Sequence, residues 1–119
     1  MAATRLEFVE VAPHLVKVTI VGRLDTPGVD GIETRFIAAL VPNANNAVVD
    51  MSQVDFVTSM GIRMFVSAAR SLKMRQARLS LFGVQDQVRQ LLDMVAIEQL
   101  IPVCASEAES LAAVRPSTV

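Results

Sequence analysis

The sequence predicts an open, mixed α/β sheet of order β-β-α-β-α-β-α-β-α, with its helices mainly on one face. Three observations predict it. Two strand patterns follow one another across a short turn, Ala12-Pro13-His14, a connection that suits antiparallel neighbours and is too short for a crossover. Helical and extended patterns then alternate, as right-handed crossovers between parallel strands require. The strands around Val16–Ile20 and Leu79–Leu81 alternate apolar and polar residues, whereas a sheet covered on both faces would show continuous apolar runs. With 119 residues, 52% apolar and 19% charged, the chain suits a single domain, residues 1–119, around one core.

Leu6–Val11 and Leu15–Val21 are the paired strands. In the second, Val16, Val18 and Ile20 alternate with Lys17, Thr19 and Val21. The run Gly22-Arg23-Leu24-Asp25-Thr26-Pro27-Gly28 breaks the pattern. From Val29, the residues Ile32, Phe36, Ile37 and Leu40 recur at helical spacing, and Pro42 with Asn43–Asn46 ends that helix. Ala47, Val48 and Val49 make a short buried strand that closes on Asp50, and a polar connection leads on to Thr58. A second helix runs from Ser59 or Met60 to about Met74, with Ile62, Phe65, Val66, Ala69 and Leu72 as its core stripe. Arg78–Phe82 is the next strand, and Val84, Val88, Leu91, Leu92 and Val95 mark a third helix. Ile101–Val103 is a short last strand. Ser106 and Glu109 have capping-box spacing ahead of a fourth helix, which carries Ala108, Leu111 and Ala112 and fades before Pro116.

Several function classes drop out on composition. A net charge of −1 supplies no general pull on nucleic acid, and the absence of Trp and Tyr leaves few platforms for base stacking. The apolar runs fall well short of the roughly 20 residues of a membrane span. MAATRLEF has no apolar core of a signal peptide, and Cys104 stands alone, so a cytoplasmic protein without a disulfide is expected. His14 belongs to the hairpin turn. One His and one Cys cannot assemble the usual nitrogen and sulfur metal site. Both glycine-rich phosphate-binding motifs are missing, and Asp50 and Asp55 flank a loop. The expectation is a binding protein with no catalytic residue, cofactor or metal.

One constellation survives. A helix start leaves about four backbone N–H groups unpartnered and carries roughly half a positive charge. Ser59, next to Thr58, stands at such a start, either as a structural cap or as the acceptor of a phosphate. Asp25 follows the second strand, so its loop and the loop before Ser59 leave the same sheet edge if those strands are neighbours. An acidic group beside a hydroxyl could coordinate magnesium brought by a nucleotide, or repel a phosphate once attached. At about 100° per residue, Met60 and Met64 fall opposite the expected core stripe with Arg63 on their flank. They read either as an adaptable contact surface or as a face covered by a neighbouring helix. The basic set Arg63, Arg70, Lys73, Arg75 and Arg78 reads as a solvated face.

The stretch Asp50-Met51-Ser52-Gln53-Val54-Asp55-Phe56-Val57-Thr58-Ser59-Met60-Gly61-Ile62 resembles the signature of the STAS family of bacterial anti-sigma-factor antagonists, D-[LF]-S-x-V-x-F-[ILMV]-D-S-[ST/A]-G. Gly22-Arg23-Leu24-Asp25 resembles the family's G-x-[LIF]-D, and the likeness runs from about Arg5 to Val114. It implies a domain that binds an anti-sigma factor which is also a serine kinase of the histidine-kinase-like ATPase fold. That kinase would phosphorylate Ser59, the complex would dissociate, and a PP2C-type phosphatase would reset the cycle. Together with the helix face read above, the expected partner-binding residues are Asp25, Thr58, Ser59, Met60, Arg63 and Met64. The family's usual Asp before the serine is Thr58 here, which removes a charge and leaves Thr58 as an alternative acceptor. A STAS module in a lipid-transport or other signalling assembly, with Ser59 as a plain cap, is the competing reading. A nucleotide binder using the Asp25 and Ser59 edge is a third.

Overall fold

A computed structural model describes residues 3–115; Met1 and Ala2 at the polar start and Pro116, the expected helix stop, lie outside them. The chain runs β1 (Arg5–Ala12), β2 (Leu15–Leu24), α1 (Thr26–Leu40), β3 (Asn46–Val57), α2 (Ser59–Met74), β4 (Leu79–Phe82), α3 (Asp86–Met94), a 3₁₀ turn (Ile97–Gln99), β5 (Val103–Cys104) and α4 (Glu107–Val114). The five strands lie in the order β1-β2-β3-β4-β5. β1 is antiparallel to β2 and every later pair is parallel, so the sheet is open and mixed as the sequence predicts.

Alternation along the strands divides the core. Val16, Val18 and Ile20 of β2, Ala47 and Val49 of β3, and Leu79 and Leu81 of β4 face one way and meet Ile32, Phe36, Phe65, Leu72, Val88 and Leu92 of α1, α2 and α3. The rings of Phe36 and Phe65 meet edge to face with centroids 5.8 Å apart, which locks α1 against α2. The opposite face carries Leu15, Val48 and Phe82, which pack with Leu111 and Val114 of α4. Ser80 bonds the carbonyl and the hydroxyl of Ser110 there, and Lys17 Nζ lies 2.6 Å from Glu107 at the start of α4. This hydrogen bond to Glu107 raises the Lys17 pKa above its ordinary 10.5.

Two expectations from the sequence change here. The stretch from Met51 to Val57 is not a connection; β3 continues through it to Val57, twelve residues in all. Its partners on β2 step Thr19↔Asp50, Val21↔Gln53, Gly22↔Val54 and Arg23↔Phe56, so β3 carries an extra residue at two places. Each extra residue is a bulge that turns the strand. Inward positions become Met51, Val54 and Val57, three apart, and a period of two cannot detect them. β2 likewise continues past Gly22, which takes φ 120° there, as far as Leu24. The outer halves of β2 and β3 therefore form a tip beyond the last β3–β4 pair at Asp50 and Phe82.

Candidate functional site

At that tip the last paired residues are Leu24 of β2 and Val57 of β3, and each strand turns into a helix within two residues. Asp25 ends β2 as the N-cap of α1, and its Oδ1 accepts the Gly28 N–H at 2.9 Å. Its Oδ2 faces Arg23 Nε at 3.4 Å. Pro27 stands in the first turn, where a missing N–H costs nothing. A β-carbon on Gly28 would sit 2.1 Å from the Arg23 carbonyl, so glycine is required for this close turn. Asp25 is thus a structural cap. The structure brings it to the same sheet edge as Ser59, but both of its oxygens are already engaged within its own loop.

The second junction is built differently. Thr58, not Ser59, occupies the N-cap position of α2, which corrects the expectation that Ser59 caps the helix. The Thr58 N–H and hydroxyl both donate to the Leu24 carbonyl, at 3.0 and 2.9 Å. That hydroxyl points back to β2 and caps nothing. No side chain caps α2, and no acidic residue stands in its first turn. Ser59 is the first helical residue, exposed, and among the described residues its hydroxyl has no hydrogen-bond partner. Gly61 is buried; a β-carbon there would come 3.0 Å from Leu24 Cβ and 3.3 Å from the Leu24 carbonyl. Its lack of a side chain lets the start of α2 settle against the end of β2.

The methionine face does not survive. α2 buries Gly61, Met64, Phe65, Ala68, Ala69 and Leu72, while Ile62 and Val66 are half-buried. Met64 is wholly buried in the main core, so it is withdrawn from the expected partner-binding residues. The inward stripe is rotated by about one residue from the stripe expected, because Gly61 and Ala68 are small enough to lie against sheet and helix while Met64 fills the space between them. Met60 is half-buried against the core, and Arg63 is exposed.

The sequence missed two residues at the tip. Phe56 is 40% exposed, and the Arg23 guanidinium lies over its ring, 4.1 Å from the centroid. Their signal was present as one aromatic, Phe56, following Ser52, Gln53 and Asp55, but placing both residues in loops hid their pairing.

Comparison with known proteins agrees with this architecture. A model of the STAS domain family matches residues 8–110. An anti-sigma-B factor antagonist of Listeria monocytogenes is 33% identical over 61 residues, 51% of this chain and 54% of that protein. The match thus spans about half the length of that curated relative. The anti-sigma factor antagonist SpoIIAA in its unphosphorylated form superposes with a TM-score of 0.78 at 20% identity, over 97% of this chain and all of that one. SpoIIAA from Bacillus in its phosphorylated form gives a TM-score of 0.70 at 18% identity, over 93% of this chain and all of that one. At such identities these two likenesses are of fold. The family match covers most of the chain, and the chain belongs to the STAS domain family.

Proposed function

We propose that this protein is a cytoplasmic anti-sigma-factor antagonist, whose unphosphorylated form binds an anti-sigma factor that is also a serine kinase. Phosphorylation of Ser59 ends the complex, and a PP2C-type phosphatase restores it. The carrying observation is the exposed Ser59 hydroxyl at an uncapped helix start, beside a Thr58 hydroxyl already committed to Leu24. This asymmetry favours Ser59 over Thr58 as acceptor. The Listeria relative named as an anti-sigma-B factor antagonist, and a fold neighbour that exists in unphosphorylated and phosphorylated forms, support the same reading. Asp25, Thr58, Met60 and Arg63 complete the proposed contact set.

Magnitudes decide what the phosphate does. It adds about −1.5 to −2 charge. At a helix N-terminus that charge gains ~0.3–1 kcal/mol, so the domain stays folded. At an interface the same group loses its water and meets the partner's surface, at a cost of ~2–5 kcal/mol. With ~1.4 kcal/mol per tenfold, binding weakens roughly 30-fold to several thousand-fold. The interface effect wins.

The test is incubation of the full chain with ATP and candidate kinases of the ATPase fold, followed by mass spectrometry of the intact protein and its peptides. One phosphate on the Ser59 peptide is expected, lost in Ser59→Ala and kept in Thr58→Ala. Ser59→Ala should still bind the kinase and Ser59→Asp should not. Modification at Thr58, or none by any kinase that binds the chain, overturns the switch and favours a module in a larger assembly.

A further inference from the structure

The exposed positions on the outer half of β3 are Ser52, Gln53, Asp55 and Phe56, so one aromatic ring stands among polar side chains. Phe56 is in register with Arg23 of β2, and the guanidinium covers one face of the ring at 4.1 Å. A cation stacked on an aromatic face restrains both side chains before any partner arrives, which lowers the ordering cost of an association. Only Nε of that guanidinium faces Asp25; among the described residues its two terminal nitrogens have no hydrogen-bond partner. The tip therefore offers a pre-ordered ring with a charged fork beside it. It is tied to the start of α2 by the Leu24 carbonyl, which accepts both donors of Thr58. Ser59 follows in the next position.

We propose that Phe56 and Arg23 are the anchor of the surface that meets the anti-sigma factor. The ring enters an apolar pocket of the partner, and the free end of the guanidinium takes a carboxylate at the rim of that pocket. Aromatic and arginine side chains dominate the energetics of interfaces, and a carboxylate is the group whose geometry the guanidinium fork matches. This inference rests on the antagonist reading and deepens it: Ser59 is the switch, and the stack supplies affinity beside it. Phe56 stands three residues before Ser59 in the chain, so the anchor and the modified residue belong to one strand-to-helix junction.

The experiment uses the full chain and whichever kinase phosphorylates it, with dissociation constants measured calorimetrically at low and high salt. Phe56→Ser should weaken binding at least about tenfold. Arg23→Met keeps an apolar stem over the ring and drops the charge. It should weaken binding severalfold at low salt and flatten the salt dependence, because an exposed ion pair is screened. Thermal unfolding of each variant confirms that the fold is kept, and Phe56→Leu replaces Phe56→Ser if the polar variant does not fold. If the wild type binds and these variants bind within about twofold of it, the anchor is overturned while the antagonist reading stands. Unchanged salt dependence in Arg23→Met overturns the carboxylate. A wild type that binds no kinase able to modify Ser59 removes both readings together.

Discussion

The starts of α1 and α2 lie side by side at one edge of the sheet, reached from adjacent parallel strands, and are finished in opposite ways. At α1 the chain closes its own helix end: Asp25 accepts the Gly28 N–H, and the turn is too tight for any side chain at Gly28. At α2 the one hydroxyl in cap position is turned backward to Leu24, and the next residue, Ser59, is exposed. The two ends carry the same dipole. Only the second leaves it unanswered by a side chain. The difference is one of capping: the α1 start is closed within its own loop, and the α2 start is left without a capping side chain.

The largest effect that would break this contrast is expected at the glycines. Gly28→Ala drives a β-carbon to 2.1 Å from a backbone carbonyl, which cannot move aside as a side chain would. It should cost about 3 kcal/mol in denaturant unfolding. Gly61→Ala meets Leu24 Cβ at 3.0 Å and Val57 Cγ1 at 3.1 Å, contacts that can shift a little, and should cost about 1–2 kcal/mol. Equal losses at the two positions would show that the α1 turn is no more closed than the α2 start.

Next in size are the caps. Asp25→Ala removes a side-chain cap and should lower stability by ~0.5–2 kcal/mol, whereas Ser59→Ala removes none and should stay within ~0.5 kcal/mol of wild type. A loss at Ser59 matching that at Asp25 would restore Ser59 as a structural cap. A smaller effect sharpens the same contrast. Phosphorylated Ser59 should raise stability by ~0.3–1 kcal/mol at low salt and less at high salt, because a negative charge joins an end that lacks one. A fall in the unfolding midpoint would mean that the site is not open to the charge.

The sequence carried most of this architecture but little of what distinguishes the two junctions. The hairpin, the alternating helices and the sheet with one well-covered face followed from periods of two and 3.6, because burial acts on each strand and helix separately. The bulged half of β3 escaped for the same reason. Met51, Val54 and Val57 are spaced by three, and the polar residues between them look like a loop. Asp25 as a cap was legible in Asp-Thr-Pro, yet in a stretch rich in Gly and Pro it read as part of a breaker. Met64 misled because a methionine fits a core gap as readily as a surface, and helical periodicity is uncertain by about one residue. The direction of the Thr58 hydroxyl depends on a carbonyl 34 positions away, and no local pattern contains it.

The start of α4 completes the comparison as the most fully answered helix end and provides its finest test. Ser106 Oγ accepts the Glu109 N–H, Glu109 takes the Ala105 N–H, and Glu107 lies in the first turn with Lys17 against it. Acidic charge already sits on this dipole, so here the measurable variable is the cation. The hydrogen bond to Glu107 raises the Lys17 pKa in the folded chain. A raised lysine pKa contributes stability that is fully present below its unfolded value, about 10.5, and is lost as pH rises through the higher folded value. The pair is partly exposed, so the contribution should remain under about 1 kcal/mol. Unfolding followed from pH 9 upward should show the wild type losing stability relative to Glu107→Gln above about pH 10.5, with the two curves parallel below it. Parallel curves throughout would mean that α4 is held by Leu111, Val114 and the buried Ser80–Ser110 contact alone, and that charge at this helix start contributes nothing to its docking.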